Sequence, residues 1–168
     1  MIKPVHINSN WDIKDFISLN YEWGTHKDKK VLDEYLKAGH DTKFLSMYYC
    51  QQPNPMPSCV VEYIKPHFKF LSNIGLAVHY YKPGQYLPLH VDVFGKYLTI
   101  ENVKPESIVR YIVMLEDSSP GQIIQLEKNC IGTWRAGDCF GWNYKDLHAF
   151  YNFSRKDRYA IQVTGCLE

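Results

Sequence analysis

The pattern of apolar and polar positions divides this chain in two. From residue 73 onward, short apolar runs alternate with turn residues: Ile74–Tyr81, Leu87–Val93, Val109–Leu115, Gln122–Glu127, Ile131–Trp134, Cys139–Trp142, Leu147–Asn152 and Arg158–Thr164. The breaks between them carry Pro83-Gly84, Pro120-Gly121 and Gly137-Asp138. Short strands at this spacing, separated by turn chemistry, predict a jelly roll or barrel. Residues 94–108 read as a longer loop between strands. Before residue 73 the period is different. Ile13, Phe16 and Ile17 fall at i, i+3 and i+4, which predicts a helix beginning near Trp11 behind a Ser9 or Asn10 cap. Val31, Leu32, Tyr35 and Leu36 predict a second helix over Asp28–Lys37, with Gly39 as its stop. Residues 43–50 and 58–70 fit helix or strand equally, and the three prolines of Gln51–Pro57 require a loop.

The expected fold class is therefore α+β, mainly β, in a single domain of 168 residues. Residues 1–72 are expected to form a mostly helical support and residues 73–168 a double-stranded β-helix core. Composition adds an aromatic content of 15%, with 13 Tyr, which suits strand-rich packing. Formal net charge is +1, from 19 basic and 18 acidic residues, so no basic excess argues for nucleic acid or a membrane surface. The five cysteines, at 50, 59, 130, 139 and 166, are odd in number and lack Cys-x-x-Cys spacing, and they read as reduced thiols of a cytoplasmic protein. No apolar run approaches the ~18 residues of a membrane span, and Met-Ile-Lys-Pro-Val-His lacks a signal-peptide core.

The candidate chemistry lies in Tyr81-Lys-Pro-Gly84-Gln-Tyr86-Leu-Pro-Leu-His90-Val-Asp92. On a strand, residues i and i+2 share a face, so His90 and Asp92 would project together. The triplet His-x-Asp alone says little, since His26-Lys-Asp28 has it too; there it opens a helix in a polar stretch and reads as a solvated helix start. His148, in the run Leu-His-Ala-Phe-Tyr, supplies a third ligand. Two imidazoles and one carboxylate make the facial triad of non-haem Fe(II) oxygenases, which leaves coordination positions open. Arg158 follows ten residues later at the start of the last strand, where a guanidinium can bind a carboxylate bidentately.

With these residues in place, the stretch from 74 to 164 resembles the Fe(II)/2-oxoglutarate-dependent dioxygenases, in particular the prolyl-4-hydroxylase-like branch. Tyr81-x-x-Gly84-Gln85 leading to His90-x-Asp92 is similar to that branch's metal-binding segment. Pro120-Gly121-Gln122, Arg135-Ala-Gly137-Asp138-Cys-Phe140 and His148…Arg158-Tyr159 resemble its later turns, its distal histidine and its basic cosubstrate anchor. The resemblance implies that His90, Asp92 and His148 bind Fe(II) and that Arg158 holds the C5 carboxylate of the cosubstrate 2-oxoglutarate. Tyr81 is the implied second cosubstrate contact, with Tyr80 as the alternative if the register differs by one. Arg110 stands where relatives often carry Thr; if inward, it would bind substrate or 2-oxoglutarate. His79 shares parity with Tyr81 and either lines the site or is a hydrogen-bonded core histidine. Trp134 and Trp142 read as packing.

The implied reaction couples decarboxylation of 2-oxoglutarate by O2 to hydroxylation of an unactivated C–H bond, with ascorbate as a candidate requirement. Relatives that halogenate carry a small residue in place of the carboxylate, so Asp92 favours hydroxylation. Collagen-type prolyl hydroxylases have Lys where Arg158 stands, whereas hypoxia-sensing prolyl hydroxylases and lysyl hydroxylases have Arg, so the subgroup does not name the substrate. A prolyl or other residue of a protein or peptide, and a small amino-acid-like metabolite, both remain open. The other function class is a cupin-type jelly-roll module that binds metal and a small carboxylate without turnover.

Overall fold

The computed structural model describes residues 2–167. Two antiparallel sheets face each other, as the strand-and-turn rhythm predicts. The larger is built, in spatial order, from β1 (Ile2–His6), β9 (Asp138–Asn143), β6 (Ile108–Met114), β11 (Arg158–Leu167), β4 (Leu71–Tyr81), β3 (Met47–Gln51) and β2 (Glu22–Gly24). The smaller holds β5 (Tyr86–His90), β10 (His148–Asn152), β7 (Gln122–Leu126) and β8 (Asn129–Ile131). The eight strands β4 to β11, four in each sheet, form a double-stranded β-helix.

Side-chain alternation along the large sheet makes two cores. Ile112, Met114, Ala160 and Tyr81 point between the sheets, where they meet Leu87, Ile124, Leu126, Phe140, Trp142 and Phe150. Their neighbours Tyr111, Val113, Tyr159, Ile161 and Val163 point outward and are covered by Phe16, Val60, Ile64 and Phe68 of the N-terminal segment. Phe16 is fully buried there, so Phe16→Ala is expected to cost about 3–5 kcal/mol.

The N-terminal support is less helical than expected. Only α1 (Lys14–Ile17) and α2 (Lys29–Lys37) are α-helices; Val60–Ile64 is a π-turn continued by a 3-10 turn over Lys65–Phe68. Three of the segment's stretches instead extend the large sheet as β1, β2 and β3. Sheet edges offer unpaired backbone groups at both ends, and local periodicity carries no signal of that demand. The second helix follows its caps: Asp28 accepts from the Lys30 and Val31 amides at 2.9 and 3.4 Å, and Gly39 ends it with φ 92°. The expected loop at 94–108 contains a third helix, α3 (Gly95–Glu101). Among the described residues no helix is long and apolar enough to cross a membrane, and all five cysteines are unpaired.

The hairpin between β4 and β5 sets up the site. Gly84 takes φ 84° in the turn, and its amide donates to Asn152 O at 2.7 Å. Gln85 is buried; its side chain accepts from the Lys82 amide and donates to Ser46 Oγ, both at 2.8 Å. The Gly84-Gln85 pair is thus a structural clasp that fixes Tyr81 on one side and His90 on the other.

Candidate metal centre

A β-bulge aims His90 into the barrel. His148 lies opposite His90, but Phe150 lies opposite Leu87, so β5 carries one extra residue between the two pairs. Leu87 faces the inter-sheet core, and strict alternation would turn Leu89 inward as well and His90 out. With the bulge, Leu89 is 37% exposed and His90 only 8%. Pro88 sits in the bulge, where a missing backbone donor does least harm. The ladder ends at His90, so Asp92 is not on a strand as the sequence suggested. The alternation of faces nevertheless continues: Val91 and Val93 are exposed while Asp92 and Phe94 turn inward.

His90, Asp92 and His148 converge, each offering a ligand atom within 4.8 Å of the others. His148 Nε2 lies 3.4 Å from Asp92 Oδ2. Both imidazoles are oriented by the same device. His90 Nδ1 is 2.7 Å from Pro88 O, and His148 Nδ1 is 3.0 Å from Asp146 O. A carbonyl can only accept, so each Nδ1 carries the proton and each Nε2 presents its lone pair to the centre. Burial, with His148 beside it, lowers the His90 pKa to about 4, so the ring is neutral and ready to ligate at physiological pH.

Asp92 is held by three groups. Arg110 Nη1 forms a close ion pair with Oδ1, Trp142 Nε1 donates to Oδ2 at 3.1 Å, and His148 approaches the same oxygen. Burial would raise the carboxyl; Arg110, His148 and His90 outweigh it and hold Asp92 well below the usual carboxylate range. Arg110 is itself fixed: its Nε donates to Thr164 Oγ1 at 3.1 Å, and its guanidinium lies 4.3 Å from the Phe94 ring centroid. Phe94 reaches it from a left-handed backbone (φ 48°), rare for an aromatic residue. Arg110 therefore points inward, onto the Asp92 carboxylate. Trp142, read from sequence as packing, is also a partner of Asp92; no local signal distinguishes the two roles of a buried Trp.

Arg158 lies farther along the same interior, opposite Tyr81 across β4 and β11. It is 3% exposed, between the rings of Tyr81 (4.5 Å) and Phe150 (5.2 Å). Its Nε and Nη1 are buried without a hydrogen-bond partner among the described residues. Burial lowers its pKa to about 10, which leaves it cationic at neutral pH. The register also places Tyr81, not Tyr80, inside: Tyr80 belongs to the outer core and stacks on Tyr48 and Tyr159. The Tyr81 hydroxyl donates to Met47 Sδ at 3.3 Å.

The first His-x-Asp departs from expectation at one residue. Asp28 caps the helix, but His26 is buried, its ring centroid 5.1 Å from that of His90 and edge-on to it.

No family model matches the sequence, and no curated protein does. Among solved structures, a predicted oxalate decarboxylase from Thermotoga maritima is 11% identical, with a TM-score of 0.51 over 97% of this chain and 100% of that one. The cupin domain of Schizosaccharomyces pombe Cnp3 is 6% identical, with a TM-score of 0.45 over 71% of this chain and 64% of that one. KdgF from Halomonas sp. is 9% identical, with a TM-score of 0.44 over 73% and 80%. The fold is a cupin-like double-stranded β-helix, and at these identities the likeness concerns the fold alone.

Proposed function

We propose that the protein is a non-haem Fe(II)- and 2-oxoglutarate-dependent dioxygenase, which hydroxylates a prolyl or other residue of a peptide or protein, or a small amino-acid-like metabolite. The observation that carries this reading is Arg158, a buried guanidinium with two unpartnered donors in the same interior as the His90, Asp92 and His148 triad. Arginine has no acceptor of its own, so these donors call for an anion. The charges agree. Two guanidiniums against one carboxylate leave an excess of one positive charge, a divalent ion raises it to three, and a dianion restores it to one. The donor set of two imidazole nitrogens and a carboxylate fits Fe(II), although Zn2+ would compete for it during isolation.

Bound there, Fe(II) would supply O2 activation coupled to decarboxylation of 2-oxoglutarate to succinate and CO2. The protein's part is positional. His90 and His148 present Nε2. Arg110 draws one Asp92 oxygen aside and leaves the other for the ion. Arg158 receives the distal carboxylate between two aromatic faces that exclude water.

The test is succinate release with Fe(II), 2-oxoglutarate, ascorbate and O2. The reading expects succinate from the wild type and none from His148→Ala, which should also lose metal binding. Metal and 2-oxoglutarate binding without succinate would favour a cupin-type module that holds a small carboxylate without turnover.

A further inference from the structure

A second polar side chain of this interior, His79, lies beside Arg158. His79 lies on β4 opposite Ala160 of β11, and Arg158 lies opposite Tyr81. Ala160 and Tyr81 both face the inter-sheet core, so His79 faces it too and is the diagonal neighbour of Arg158. Only 9% of His79 is exposed, and its side chain makes no hydrogen bond with any described residue. It is thus not the hydrogen-bonded core histidine that sequence alone would allow. A neutral imidazole carries one donor and one acceptor. Ala160 opposite and Ala77 two residues along the same face are both short side chains. The His79 N–H and the two unpartnered donors of its neighbour Arg158 can be met together by one group rich in acceptors, which is what a carboxylate is. Burial, with Arg110 and Arg158 nearby, lowers the His79 pKa to about 3. The ring therefore adds a hydrogen bond without adding a further positive charge to an interior already in excess.

We infer that His79 is a second recognition group for the distal carboxylate of the bound dicarboxylate, donating its N–H beside the Arg158 guanidinium. This rests on the 2-oxoglutarate reading above.

The test is calorimetry on protein loaded with redox-inert Zn2+, using two ligands. 2-Oxoglutarate carries the distal carboxylate; 2-oxopentanoate keeps the same metal-chelating 2-oxo acid and ends in a methyl group. The variants are His79→Leu, His79→Phe as a second replacement without an N–H should the first not fold, and His79→Gln, which keeps a donor. Loss of the N–H is expected to weaken 2-oxoglutarate about tenfold, as for a hydrogen bond to a charged group, and to leave 2-oxopentanoate unchanged. His79→Gln is expected to recover most of the loss. Undiminished 2-oxoglutarate binding by the Leu or Phe variant overturns the inference and leaves the proposed function standing. Equal weakening of both ligands also overturns it, because His79 would then act through the fold or the metal. Failure of the wild type to bind 2-oxoglutarate overturns both.

Discussion

Arg110 and Arg158 enter one barrel interior from adjacent strands, yet they are opposites. Arg110 is consumed: Asp92, Thr164 and the Phe94 ring account for it. Arg158 sits between two aromatic rings with two donors unanswered. A satisfied cation beside the Asp92 carboxylate orients that carboxylate. An unsatisfied one, kept in a water-poor place, destabilises the fold unless something arrives to pair with it. The difference separates a residue that is part of the structure from one that, on the proposed function, receives a ligand.

The sharpest way to break this contrast is to make each arginine apolar. Arg158→Met is expected to weaken 2-oxoglutarate by about 100- to 1,000-fold, from two or more charge-assisted hydrogen bonds. It should also make the ligand-free protein more stable by about 1 kcal/mol or more, since a buried unpaired charge is gone. Calorimetry and denaturant unfolding read the two effects. Arg110→Met is expected to do the reverse: it strands a largely buried carboxylate and costs about 3 kcal/mol of stability, with a smaller effect on the cosubstrate. If Arg110→Met were the variant that lost 2-oxoglutarate, the two roles would have to be exchanged.

A pH titration of stability sharpens the picture at His79. Its folded-state pKa is depressed to about 3, so the folded ring stays neutral while the unfolded chain takes up a proton below about 6.5. Stability is therefore lost as pH falls between those values, by up to about 1.4 kcal/mol per pH unit. Urea unfolding of the ligand-free protein from pH 7 to pH 4 should show this slope, and His79→Leu should lack its share of it. The smallest effect is expected from Tyr81→Phe. The hydroxyl donates only to a thioether, so stability should fall by less than about 1 kcal/mol and 2-oxoglutarate affinity should stay within about twofold. A tenfold loss of affinity would mean that the hydroxyl turns to the ligand.

The residues that meet at the centre were legible in the sequence because their chemistry is distinctive. His-x-Asp alone occurs twice in this chain, and it is the distal His148 followed by Arg158 that singles out His90 and Asp92. What the sequence could not supply was direction. The period-2 argument for His90 and Asp92 reached the right face, but the bulge at Pro88-Leu89 sets that face, and a bulge exists only relative to its partner strand. The inward turn of Arg110 and the choice of Tyr81 over Tyr80 depend on strand register, which is likewise a pairwise property. The same limit explains the N-terminal segment. Residues 43–50 fit helix or strand locally, and 47–51, including Gln51 of the expected loop, became β3 because the edge of β4 was open to pairing. His26 was read as solvated from its polar neighbours, whereas its burial comes from the chain crossing β5, far off in sequence.

The central claim is that the triad and Arg158 together hold a metal-chelated 2-oxo acid. Anaerobic titration of the Fe(II)-loaded protein with 2-oxoglutarate tests it most directly, through the weak metal-to-ligand charge-transfer absorption in the visible. The account predicts a band that grows and saturates in the wild type and, in Arg158→Met, requires far more 2-oxoglutarate. Iron binding without any such band, at 2-oxoglutarate concentrations well above those in cells, would contradict it.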